Sequence, residues 1–177
     1  MQYPAKSVLL ALGLLSLVAG CAHDARTAGS QIDDHLIAWR AAGSLRGDAE
    51  LHEQAHIAVT SLNGIVLVTG ETPTETLRDR AVEKVSAIPG IRRIHNEIRI
   101  APPSSLAARS RDSLMAGEAR TRIAAADGVE ARIVVVADNA SIYLLGLVHQ
   151  SEGAAATQAA TQVTGAERIV QLFEYLD

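Results

Sequence analysis

Most of this 177-residue chain is written twice, and no other feature limits its fold as strongly. Ile57-Ala58-Val59-Thr60-Ser61-Leu62-Asn63-Gly64-Ile65-Val66-Leu67-Val68-Thr69-Gly70 recurs 76 residues later as Ile133-Val134-Val135-Val136-Ala137-Asp138-Asn139-Ala140-Ser141-Ile142-Tyr143-Leu144-Leu145-Gly146. Self-similarity at a fixed offset sets the architecture before any local propensity does. Each segment reads as an apolar strand, a two-residue turn, a second apolar strand and a Gly. Asn63-Gly64 between β-branched runs is a strong hairpin signal. Asn139-Ala140 is a weaker one, because Ala tolerates positive φ poorly.

Helical periodicity follows each hairpin. In the first copy it starts at Pro73-Thr74 and runs through Leu77, Ala81, Val82 and Val85 to Ile88; in the second it starts at Ser151 and runs through Ala155, Ala159, Ala160 and Val163. Both end at a Gly, Gly90 or Gly165, and alternating third strands follow at Ile91–Ile100 and Ala166–Leu176. Ahead of the hairpins lie two more helices, Asp33 to about Leu45 and Ser113 to about Ala126, with Asp33/Asp34 and Asp112/Ser113 as expected N-caps. Met115, Ala119 and Ile123 share a face assigned to the core. The fold class is therefore α+β: two tandem α-β-β-α-β units, each a three-stranded mixed sheet covered by two helices. The strand-helix-strand halves should be parallel crossovers. Two helices cover one face of such a sheet. The other face must be solvated or pack on the sister unit, and units this small favour contact.

The N-terminus is an address rather than part of the fold. An apolar run of about a dozen residues follows Lys6, long enough for a signal h-region and too short to span a bilayer. It ends in Val18-Ala19-Gly20-Cys21, and Cys21 is the only Cys in the chain. This resembles a bacterial lipobox, which implies a signal peptide at 1–20, acylation of Cys21 and outer-membrane sorting, since residue 22 is Ala. Several acyl chains at roughly 0.8 kcal/mol per buried CH₂ anchor a protein permanently. The expected layout is a signal peptide at 1–20, an acylated Cys and tether at 21–30, and repeat units at 31–102 and 106–177.

Composition removes other classes. Hydrophobic residues are 48% and charged residues 20%, a globular balance. Aromatics are 3%, so the cores must be built from Ala, Val, Ile and Leu. A net charge of −4 argues against nucleic acid as a partner. One Cys leaves no internal disulfide and no Cys-rich metal site.

The α-β-β-α-β order in tandem, the two Gly-closed hairpins, the second helix ending at Gly and the lipobox together resemble the BON domain family, in particular its dual-BON outer-membrane lipoproteins. Arg26 through Asp34 and Ile91 through Arg99 add local similarity. The resemblance covers roughly residues 26–177. It implies a non-enzymatic module without cofactors that binds anionic phospholipid and supports envelope integrity, often in connection with envelope stress and cell division. The protein would sit on the periplasmic side of the outer membrane, held by lipidated Cys21. In the family the lipid surface is the first helix of the second domain, with an aromatic residue near its start. Here that position holds Leu114, which inserts into acyl chains but lacks the interfacial preference of Trp. Arg109, Arg111, Arg120 and Arg122 are the residues expected to reach phosphates, although Asp112, Glu118 and Asp127 dilute the charge. An envelope-protein partner docked on the sheets is the alternative from another class.

His52-Glu53-Gln54-Ala55-His56 spells H-E-x-x-H, the pattern of a zinc hydrolase with two His one helical turn apart. That chemistry needs an unbroken helix through both His. Gly43 and Gly47 interrupt the helix ahead of it, and His56 opens the strand. The matching residues of the second copy, Gly128 to Arg132, hold no ligands, so no metal is expected. His23 and His35 stand alone, and His95 and His149 fall on strand or strand-end positions. Arg92-Arg93 reads as an exposed pair at a strand start with headgroup reach. Gly70 and Gly146 are assigned to backbone geometry at the turn into the helix. Trp39 is assigned to packing on its own sheet; an exposed Trp39 would serve membrane or partner contact instead.

Overall fold

The computed structural model describes residues 28–176; Cys21 and the expected signal peptide at 1–20 lie outside them. The first unit contains α1 (Ala28–Arg46), a short α2 (Ala49–Gln54), β1 (His56–Leu62), β2 (Ile65–Thr72), α3 (Glu75–Ser86) and β3 (Arg93–Ile100). The second contains α4 (Leu106–Ala124), β4 (Val134–Asp138), β5 (Ser141–Val148), α5 (Gln150–Ala160) and β6 (Arg168–Tyr175). Each sheet is three-stranded and mixed. The hairpin strands pair antiparallel, and the strand after the crossover helix adds parallel to the second hairpin strand, which is therefore central.

Strand alternation sorts side chains between two cores. From β2, Val66 and Val68 face the helices and pack with Ile37, Ala41 and Leu45 of α1 and Leu77, Ala81 and Val85 of α3. Ile142 and Leu144 of β5 do the same against Ala119, Ile123, Ala156 and Ala160. The opposite faces meet each other: Leu62 and Leu67 of the first sheet form one cluster with Tyr143, Leu145 and Leu172 of the second. The molecule is thus a four-layer stack, helices–sheet–sheet–helices. This answers how the uncovered sheet faces are satisfied: all eight residues of β2 are buried, as a strand covered on both faces must be.

Polar pairs frame the inter-sheet core. Arg92 makes a two-pronged ion pair with Glu174 (2.8 and 3.1 Å), which also accepts from the Asn63 side chain at 2.9 Å. Arg168 reaches Glu97 at 2.6 Å and lies over the Tyr143 ring. Burial, then the Glu97 carboxylate, push the Tyr143 hydroxyl pKa up. Burial opposes ionisation of Glu174 as well, but Arg92 and Asn63 outweigh it and hold the carboxyl below its ordinary range. At the far end Glu71, 1% exposed, binds Arg99 at 2.6 Å and accepts from the Ser104 amide at 3.2 Å, tying the linker to β2 and β3. Asp138 accepts from the Gly70 amide across the interface; burial first, then the Glu71 and Asp112 carboxylates, raise its pKa.

The helix starts differ from the sequence expectation. α1 begins at Ala28, inside the stretch read as tether, and α4 begins at Leu106 with the Ser105 hydroxyl accepting from the Ala108 amide at 3.2 Å. Asp34 and Asp112 are consequently interior helix residues, not caps. Both carboxylates bind the hairpin turns: Asp34 accepts from the Ser61 hydroxyl and the Asn63 and Gly64 amides at 2.7, 2.7 and 3.0 Å. Asp112 accepts from the Asn139 and Ala140 amides at 3.0 and 3.2 Å. These turns are left-handed at both positions, with φ of 53° and 72° in the first and 46° and 58° in the second. Ala140 in that region is strained, and the Asp112 anchor helps hold it there. The N-cap of α5 is His149 rather than Ser151, with the His149 amide donating to Glu152 at 2.8 Å. Gly70 and Gly146 lie inside strands β2 and β5, not at the turns into the helices.

Candidate functional site

The groove between α4 and the β4–β5 turn gathers two of the five expected lipid contacts, Leu114 and Arg111. It has a volume of about 450 Å³ and is lined by Ala108, Arg111, Leu114, Met115, Asn139 and Gly165, among others. Helical spacing explains the arrangement. Asp112, Ala116, Ala119 and Ile123 face the sheet, so Leu114 points the opposite way and is 75% exposed. Arg111 is exposed beside it, one turn earlier, with no hydrogen bond or ion pair among the described residues.

The other three arginines are placed differently. Arg122 shares the Leu114 side of the helix but is bound to Glu118 at 2.8 Å, an i,i+4 pair. Arg120 lies on the opposite flank and donates to the Val135 carbonyl at 3.0 Å. Arg109 also turns away, bringing Nη1 within 3.0 Å of His56 Nδ1. The structure therefore brings Leu114 and Arg111 together, places Arg122 at a separate groove beside α5, and turns Arg109 and Arg120 to other partners. Cys21 falls outside the described residues.

The repeat duplicates the groove. Asp33, Asp34, Leu36, Ile37, Arg40, Asn63, Gly64 and Gly90 line a cavity of about 440 Å³ in the first unit. Position by position these are the counterparts of Arg111, Asp112, Leu114, Met115, Glu118, Asn139, Ala140 and Gly165. Leu36 thus stands where Leu114 stands in the second unit. Trp39, expected against its sheet, is 70% exposed; Ile37, Ala41 and Leu45 occupy the sheet-facing side of α1 instead. Sequence reading missed this face because α1 carries two apolar stripes, and only the fold decides which one is buried.

His52 lies on α2 and His56 in β1, on different elements. His56 meets Arg109 rather than His52. Among the described residues no group of three His, Cys, Asp or Glu side chains is placed to hold a metal ion. His95, in β3, has its pKa lowered by burial and by the neighbouring Arg93 cation. Arg92, read as exposed with headgroup reach, is engaged by Glu174 across the interface. No helix of the described residues is long and apolar enough to cross a membrane.

Comparison with known proteins agrees with this architecture. The family model for the BON domain matches residues 33–102 and again 111–177. The chain is 29% identical to the outer membrane lipoprotein DolP of Haemophilus influenzae over 189 aligned positions, covering 98% of each chain. It is 30% identical to the 21 kDa hemolysin of Actinobacillus pleuropneumoniae, over 86% of this chain and 79% of that protein. Among solved structures, the C-terminal domain of CdsD, a structural protein of the type III secretion system of Chlamydia trachomatis, aligns with 81% of this chain and 67% of its own at 14% identity and a TM-score of 0.33. No functional reading follows from so distant a likeness. Two matched segments, each coinciding with one α-β-β-α-β unit, place the chain in the BON domain family as a tandem two-domain member.

Proposed function

We propose that this chain is a non-catalytic lipoprotein of the bacterial envelope, anchored to the periplasmic side of the outer membrane through acylated Cys21. Its second BON domain binds anionic phospholipid and thereby supports envelope integrity. The observation that carries this reading is the pairing of an exposed Leu114 with Arg111, which has no polar partner among the described residues, on the rim of one groove. An apolar side chain enters the acyl region while a guanidinium meets phosphate, which is the division of labour interfacial binding requires. Arg122, about two helical turns beyond Leu114 and paired with Glu118, stands apart from this groove. Arg109 and Arg120, occupied by His56 and the Val135 carbonyl, orient the helix rather than lead the contact. The lipobox and the likeness to an outer membrane lipoprotein support the anchor and the compartment.

The whole chain is acidic, so attraction to an anionic surface has to come from local patterning. In the adaptor alternative an envelope protein would dock on other parts of the fold than the sheet faces. The inward sheet faces are occupied by each other, leaving a protein partner only edges and helices.

Leu114→Glu in residues 22–177 is expected to lower flotation with phosphatidylglycerol vesicles about tenfold or more, since burying a Leu side chain is worth about 1.5–3 kcal/mol. The substitution lies on solvent and should leave the circular dichroism spectrum and unfolding midpoint unchanged. Undiminished flotation would remove α4 from the site.

A further inference from the structure

The first domain carries an apolar face that the second lacks. On α1, Ile32, Leu36 and Trp39 are 61%, 39% and 70% exposed. Their spacing of i, i+4 and i+7 aligns them along about 10 Å of one side of the helix. That side points away from the sheet, opposite Ile37, Ala41 and Leu45. The counterparts of Ile32 and Trp39 in α4 are Ser110 and Gly117, so only Leu114 remains there of the same stripe. Trp is the side chain with the strongest preference for the water–bilayer boundary, and an exposed Trp-Leu-Ile face on a surface helix is costly in water without a partner.

What covers this face follows from the chain that precedes it. Six residues separate Cys21 from Ala28. Even fully extended, that stretch reaches at most about 25 Å. With Cys21 acylated, α1 cannot leave the neighbourhood of the bilayer, and a weak apolar contact is made effective by that proximity. Arg40 flanks the stripe on one side and Arg46 on the other, available to phosphates, while Asp33 offsets part of the attraction. An unanchored chain would therefore gain little from this helix, and an anchored one much more.

We infer that α1 of the first domain is a second membrane-contacting element: in the acylated protein, Ile32, Leu36 and Trp39 insert into the interface of the bilayer that holds the anchor. This rests on the lipoprotein reading above but not on the α4 site, because the two helices lie on opposite outer layers of the stack.

Trp39 is the only Trp in the chain, so its fluorescence reports this face alone. The full chain, produced with its signal segment and purified in acylated form, would be reconstituted into liposomes of phosphatidylethanolamine and phosphatidylglycerol. Trp39 emission should shift to shorter wavelength relative to residues 22–177 in buffer, be quenched by brominated acyl chains and lose its quenching by acrylamide. Leu36→Glu should reverse all three changes; Leu114→Glu should leave them in place. Water-like emission with full acrylamide quenching in the liposomes would overturn the inference. So would a blue shift that appears without lipid and grows with protein concentration, since a second copy would then cover the stripe. Mass spectrometry of the purified chain separates these outcomes from failure of the anchor: an unacylated Cys21 would refute the lipoprotein reading itself.

Discussion

Gly70→Ala should destabilise the first domain by about 3 kcal/mol or more, the range reached when backbone strain and a hard clash coincide. Gly70 pairs with Ile57 in the β1–β2 ladder at a φ of 116°, a conformation L side chains rarely adopt. A Cβ built there would sit 1.9 Å from the His56 carbonyl oxygen and 2.9 Å from its carbon. Both are backbone atoms of the paired strand, so no rotamer change relieves the overlap, and β1 would have to move off β2. The Gly70 amide also donates to Asp138, so displacement spreads to the domain interface. Gly146 is its counterpart and provides the control. It has no positive φ, and its Cβ would meet side chains only: Val148 Cγ1 at 2.9 Å, and Ile133 and Phe173 at 3.4 Å. Gly146→Ala should cost about 1–2 kcal/mol, as for modest overpacking. Urea unfolding followed by circular dichroism decides between them; a Gly70→Ala chain within about 1 kcal/mol of the parent would contradict the clash at Gly70.

Removal of a single carboxylate should loosen a whole hairpin. Asp34→Ala is expected to cost about 3 kcal/mol, because three charge-assisted hydrogen bonds disappear together and buried donors are left without acceptors. The Gly64 amide is the most exposed to this loss, since its bond to Asp34 is buried. The left-handed turn at Asn63-Gly64 would lose the anchor that fixes it against α1. Asp34→Asn keeps one carbonyl acceptor and should recover part of the loss. Asp112→Ala removes two bonds rather than three and should cost less, about 2 kcal/mol. No loss at Asp34 would mean that the turns hold themselves, and equal losses at the two sites would contradict the ranking by bond count.

Much of the fold was legible because the repeat and the turn chemistry agree. Asn63-Gly64 and the apolar runs around it place both hairpins, and the Gly closing each second helix places the parallel third strands. The continuous apolar runs Ile65–Val68 and Ile142–Leu145 also carry the signature of strands covered on both faces, which the stacked sheets explain. Legibility failed where one residue type serves two purposes. Asp34 and Asp112 look like N-caps because a short carboxylate beside a helix can take up free amides, and here the amides belong to hairpins 27 to 30 residues away. Trp39 was misplaced because α1 has apolar stripes on two sides, and periodicity cannot choose between them. The cross-interface pairs Arg92–Glu174 and Arg168–Glu97 join residues 82 and 71 positions apart, and no local pattern announces them. On α4, Leu114 and Arg111 line one groove, but sequence could not see that Arg109 and Arg120 find partners inside the protein.

Binding of anionic phospholipid by the folded domains, independent of the acyl anchor, is the central claim. Its most direct test is flotation of residues 22–177 with phosphatidylglycerol-containing and with pure phosphatidylcholine vesicles, at low and at high salt. Flotation is expected with the anionic vesicles only, weakened as salt screens the arginines. Equal flotation with both vesicle types, or none with either, would contradict it.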